Sequence, residues 1–255
     1  MHKWLNILIS CLLVWLSAAG LTVAAEVSLD TDFGNNGMVI TKVGAKVDQA
    51  TSIGVQEDGK IIVAGSSDNG LGSKMAVLRY HPEGTIDHDF LFSAGDSLGP
   101  VHFDDVVYAI TLTEDGLILL GGTLNVDGYR RGVVLRLLSN GQLDLSFGTG
   151  GIVYLDIADI DSEIRDLVID STGRITVAGF VDDDGNENPF VARLSESGEL
   201  DPSFNEDGIF VDQDVAGRAT GLVGMSDFHV IVGGYSVNAG GWKGIYLSRF
   251  IESGE

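Results

Sequence analysis

Apolar residues in this chain recur in short runs separated by turn-forming residues, not at helical spacing. Met38-Val39-Ile40-Thr41 is one run. Thr51 to Gln56 alternates, with Ile53 and Val55 set against smaller or polar neighbours. Ile61 to Ala64 is apolar at consecutive positions, as expected of a strand covered on both faces. Met75 to Tyr80 is a fourth run. Period-two alternation and β-branched residues predict strands for all four. Asp58-Gly59 and Glu83-Gly84 supply the turns between them. Beyond residue 25, no 3.6-residue apolar pattern of helical length is present.

The pattern repeats. Phe33, Phe90, Phe147 and Phe204 stand 57 residues apart, and Asp30, Asp87, Asp144 and Asp201 keep the same interval. DGKIIVAG at 58–65 returns as DGLILLGG at 115–122 and TGRITVAG at 172–179, with a worn copy, DFHVIVGG, at 227–234. Arg79, Arg136, Arg193 and Arg249 form a third series. Four-stranded units in tandem predict an all-β fold, a β-propeller built from four 57-residue four-stranded repeats. A single small sheet cannot bury its own faces, but its neighbours can. The phase of the repeat places the Thr51–Gln56 type innermost and the GMVIT type outermost. The N-terminal GMVIT strand would then close the last blade. GMVIT as the inner strand of its own blade is the rival phase. A closed monomer is the first expectation; a homodimer sharing one ring and an open arc fit the same periodicity.

The first 25 residues are different. A weakly basic start, an apolar run from Trp4 to Leu16 and the small residues Val23-Ala24-Ala25 have the order of a secretory signal peptide. A retained anchor would also fit the length; the small residues favour cleavage. Residues 26–255 then form a single repeat domain of a secreted or periplasmic protein, with no stable membrane insertion after signal cleavage. Cys11, the single cysteine, lies too early in the apolar run for lipidation, and the domain beyond it needs no disulfide at this size. The formal charge of -22 rules against nucleic acid as a partner, because phosphate binding needs a basic surface.

LDLSFGTGGIV, STGRITVAG and FVARLSESGELD resemble the delta-60 repeat family, exported bacterial proteins of propeller-like repeats. The resemblance spans residues 29–254 and implies a β-propeller on an exported protein. It implies no reaction. The fourth unit departs from the pattern, with Phe228-His229 in place of Gly-Lys or Gly-Arg.

Residues present in every unit read as framework: the phenylalanines as plugs, the Arg79 and Asp30 series as charge-assisted links between a strand and the following turn. Function is sought where the copies differ. Asp48 and Asp105 share a repeat position, Asp104 adjoins the second, and Asp159, Asp161 and Glu163 occupy the same neighbourhood in unit three. Converging carboxylates would suit Ca2+; a solvated acidic rim is the plain alternative. Asp182, Asp183 and Asp184 form a second acidic loop, without EF-hand spacing. Tyr129, Arg131, Trp242 and Lys243 are loop residues without counterparts in unit one, and an aromatic beside a base suits a protein or polysaccharide partner. The expected function is a noncatalytic binding or structural scaffold. The alternative is a calcium-dependent hydrolase of small esters or lactones, resting on fold analogy. No zinc-binding histidine motif, GxSxG elbow or phosphate loop is present.

Overall fold

The computed structural model describes residues 27–92, 105–126, 128–157, 159–225 and 229–251. The expected signal peptide, with Cys11, lies outside these residues, as do Asp104 and Phe228. No helix among the described residues is long and apolar enough to cross a membrane.

The described residues form fourteen strands in four antiparallel sheets. The first sheet is β1 (Asp48–Val55), β2 (Ile61–Asp68) and β3 (Ser73–Tyr80). The second is β4 (Val106–Leu112), β5 (Ile118–Val126), β6 (Tyr129–Leu137) and β7 (Ile152–Leu155). The third is β8 (Asp161–Ile169), β9 (Ile175–Asp183), β10 (Asn186–Leu194) and β11 (Ile209–Val211). The fourth is β12 (Gly217–Gly224), β13 (Val230–Val237) and β14 (Lys243–Phe250). In each, the strand of the Thr51 type lies at one edge. The GIVYL-type strand β7 and its counterpart β11 lie at the other edge, beyond β6 and β10. Gly59 and its counterparts close the first hairpin of a sheet with positive φ, which is why Asp-Gly recurs there.

One defect recurs in each first strand. The register of β1 against β2 shifts between Ala50 and Ser52, and β4, β8 and β12 shift at the matching place. The bulge pushes a carbonyl toward the neighbouring strand. A Cβ on Gly65 would sit 1.9 Å from the Gln49 oxygen, and one on Gly179 1.8 Å from that of Glu163. The repeated glycine is therefore needed within the sheet. Its neighbour Gly121 serves contact between sheets, since a Cβ there would meet Leu167 of the third sheet at 2.7 Å.

Three cores join the four sheets in sequence order. Ile62, Ala64, Met75 and Val77 of the first sheet meet Val107, Leu120 and Val133 of the second. Leu119, Val134 and Phe147 meet Leu167, Val177 and Phe190 of the third. Ala178 and Val191 meet Ala219, Leu222 and Val232 of the fourth. The arginine series ties these joints. Arg79–Asp87, Arg136–Asp144 and Arg193–Asp201 each have an Nε–Oδ2 distance of 2.8 Å. The same guanidinium groups lie 4.7, 4.7 and 5.0 Å from the centroids of Phe90, Phe147 and Phe204. Arg136 also reaches the Glu196 carbonyl of the next unit at 2.6 Å.

The expected closed propeller is not what forms. The chain is all-β with repeated antiparallel sheets, but the sheets remain separate and the outer two have three strands. Closure needs residues 38–41 on the edge of β14. Met38 instead makes only an isolated bridge to Gly34. The segment lies along the first sheet: Gly34 N donates to Glu83 O at 2.8 Å, and Tyr80 Oη to Thr41 Oγ1 at 2.7 Å. Ile40 is 93% exposed and Ile245, on β14, 92%. The N-terminal clasp is thus absent.

A candidate ligand site of paired arginines and carboxylates

The sites expected from sequence gather at the end of the sheets where β1, β4, β8 and β12 begin. The five aspartates considered for calcium do not converge. Asp48 accepts hydrogen bonds from Val43 N (2.9 Å), Gly44 N (2.8 Å) and Ser67 Oγ (2.7 Å). Asp105 is buried and accepts one from Asn125 N at 2.9 Å. Asp184 occupies a positive-φ turn position between β9 and β10. Only Asp161 and Asp182 come together, and Arg130 joins them, at 3.4 and 3.5 Å. Among the described residues, no three His, Cys, Asp or Glu side chains form a group that could hold a metal. Asp48, Asp105, Asp161 and Asp182 are engaged by backbone amides, the Ser67 hydroxyl or the Arg130 guanidinium.

What the fold assembles is larger and of mixed charge. Glu163 on β8, 3% exposed, bonds to Arg130 Nη1 and, at 2.5 Å, to Arg165 Nη2. The Arg165 guanidinium lies 3.9 Å from the Tyr108 ring centroid and 5.4 Å from that of Phe180. Arg218 on β12 lies 4.0 Å from the Phe180 centroid. Its Nε donates to Glu187 Oε2 at 2.6 Å, and its Nη2 donates to Oε1. Tyr235 Oη approaches the same carboxylate at 3.5 Å, and Lys243 Nζ sits 3.9 Å from the Tyr235 centroid. Arg165 Nε is buried and has no acceptor among the described residues.

Electrostatics follow from these pairings. Hydrogen bonds from Arg218 hold Glu187 below the usual carboxylate range, against the opposing effect of burial. Burial, then the Glu163 charge, pushes the Tyr108 hydroxyl up, so it stays protonated. Burial opposes the charge on Arg130, but the Glu163 carboxylate and its neighbours outweigh it and raise that pKa.

The loop residues expected to contact a partner ring this cluster. Tyr129 starts β6 and is about half exposed; Arg131 stands 5.8 Å from its ring and pairs with Asp156 and Asp159. Trp242 is 77% exposed in the β13–β14 hairpin, next to Lys243. Sequence reasoning missed Tyr108, Arg165, Phe180, Glu187 and Tyr235. A signal was present: Tyr108 and Arg165 hold the bulge position that is threonine at Thr51 and Thr220. A cleft of about 820 Å³ lies elsewhere, between the turns around Glu114 and Ser171, and its Arg136 is committed to Asp144.

A family described as "Domain of unknown function (DUF5122) beta-propeller" matches residues 56–90, 113–147 and 171–204. A β-propeller-like repeat domain is present. Each matched window begins at the turn after a bulged strand and ends on Phe90, Phe147 or Phe204. No curated protein matches the chain. Among solved structures it is similar to an endo-arabinase from Bacteroides thetaiotaomicron, with 13% identity and a TM-score of 0.43, over 77% of this chain and 72% of that one. It is also similar to the alpha-L-arabinofuranosidase PaAbf62A from Podospora anserina, with 13% identity and a TM-score of 0.39, over 82% of this chain and 67% of that one. Both are named as enzymes, in contrast to the noncatalytic scaffold expected from sequence. Likeness at this level transfers no reaction to this chain.

Proposed function

We propose that this is an exported protein of delta-60-type repeats that holds a carbohydrate at the arginine–carboxylate face. The observation that carries the reading is the pairing itself. Arg130, Arg165 and Arg218 each meet a carboxylate, so the face offers adjacent donors and acceptors with little net charge. Vicinal hydroxyls of a neutral sugar match such a pattern. Exposed Trp242 and Tyr129 give flat apolar surface at the rim, with Arg131 and Lys243 beside them.

The test is calorimetry of the intact protein against soluble arabinan, xylan and dextran, with reducing ends measured in the same samples. Saturable binding that Arg165→Ala and Trp242→Ala each weaken, with unchanged circular dichroism, supports the reading. Release of reducing ends would add hydrolysis. No binding to any neutral polysaccharide, or binding indifferent to both substitutions, rejects it.

A further inference from the structure

The two ends of the stack carry the separated halves of one repeated joint. The intact joint is seen between the second and third sheets. There β7 extends β6, with Ile152 opposite Leu135 and Leu155 opposite Gly132. Arg136 pairs with Asp144 and lies over Phe147, while Phe147 and Val153 press on Gly198 of the next unit. At the N-terminal end the described residues supply only the second half. Asp30 keeps the turn, accepting from Asp32 N at 3.0 Å, and Phe33 and Val39 press on Gly84. Among the described residues no arginine pairs with Asp30 or lies over Phe33. At the other end the described residues supply the first half: Arg249 with no carboxylate among them, and β14 with no further described strand paired to its outer edge.

The faces match in the same way. Ile53, Ile61, Val63 and Leu78 of the first sheet line an open groove of about 340 Å³. Their counterparts in the third sheet, Leu167, Ile175, Val177 and Ala192, are buried against Leu119 and Val134 of the second. Leu119 stands opposite Arg136, as Ile231 stands opposite Arg249; Val134 stands opposite Gly121, as Leu247 stands opposite Gly233. Leu247 is 70% exposed. The fourth sheet therefore presents the surface that the groove of the first sheet is shaped to receive, as the three interior joints already do.

We propose that a second copy of this chain docks its fourth sheet onto the first sheet, its β14 gaining residues 38–41 as an edge strand. The register of β6 with β7 sets Met38 opposite Ser248 of the partner subunit and Ile40 opposite Tyr246 of the partner subunit. Asp30 meets Arg249 of the partner subunit, whose guanidinium covers Phe33. Each copy owns both halves, so two copies in head-to-tail contact satisfy all four ends. Edge-strand addition covers the backbone groups that an unpaired edge leaves open.

The experiment uses full-length chain with Cys11→Ser. Separate preparations carrying Ile40→Cys and Tyr246→Cys are mixed under mild oxidation. The expected product is a disulfide-linked two-chain species that neither preparation forms alone and that Ile40→Cys with Ser248→Cys does not give. Light scattering should read a two-chain mass. Arg249→Asp should weaken association roughly tenfold, and Asp30→Arg with Arg249→Asp should restore it. A one-chain mass at every concentration without mixed crosslinks overturns the proposal. So does a double Ile40→Cys, Tyr246→Cys chain that links only within itself. Ile40→Asp, at a solvent-exposed position, serves as a second disrupting variant should Arg249→Asp fail to fold.

Discussion

Replacing the repeated phenylalanines by alanine one at a time should separate four residues that look identical in the chain. Phe147 is fully buried and Phe204 is 1% exposed. Both lie under a guanidinium, and Phe147 fills the space where a Cβ on Gly198 would come within 2.9 Å of its ring. Loss of such a ring removes its transfer energy and leaves a cavity, about 3–5 kcal/mol together. Phe33 is only partly buried and has no arginine over it among the described residues. The part of its surface that stays wet contributes nothing, so Phe33→Ala should cost about 1–2 kcal/mol. Thermal unfolding of the four variants in dilute protein is the assay. For a chain of this size about 1 kcal/mol moves the midpoint by about 2–4 °C, so the midpoint of Phe147→Ala should fall by roughly 6–20 °C. Urea midpoints at unchanged slope provide the independent measure. Equal losses at Phe33 and Phe147 would refute the reasoning, because the burial difference would then have no energetic consequence. In concentrated protein, where a second copy covers Phe33, the gap should narrow.

Gly179→Ala should destabilise by about 2 kcal/mol or more, because the new Cβ would meet backbone 1.8 Å away; Gly185→Ala, in open space with φ of 90°, should cost only about 1–2 kcal/mol of backbone strain. Paired urea titrations decide between them. Asp144 and Asp201 are held below the usual carboxylate range: burial opposes this, but the bonds from Ser146 and Ser203 and the paired arginines prevail. Their stabilisation is therefore complete above the unfolded-state pKa, about 4, and is lost as pH falls through the lower folded values. Melting from pH 7 to pH 3 should show a steep acid limb that Asp144→Asn and Asp201→Asn flatten. Calcium or a chelator should leave the melting midpoint unchanged; a saturable rise with calcium would show that carboxylates gather in a way this fold does not display.

Much of the architecture was legible because it is local and repeated. Strand alternation, Asp-Gly turns and the 57-residue spacing depend on neighbours a few residues away, so Ile61–Asp68 and its copies form strands where the pattern places them. The arginine and aspartate series was also readable, since eight residues separate Arg79 from Asp87 and the pair closes across a single turn. Closure was not legible. It depends on how strongly each sheet is rotated against the next, a quantity that three separate cores set together and that no single unit encodes. The arginine–carboxylate face was hidden for a related reason. Tyr108, Arg165 and Arg218 belong to three different sheets, and a bulge in each first strand turns the side chains there. Composition showed a chain rich in carboxylates; only packing decided that those of Asp161, Glu163 and Glu187 would be answered by arginines, leaving paired charge where repulsion had suggested a metal.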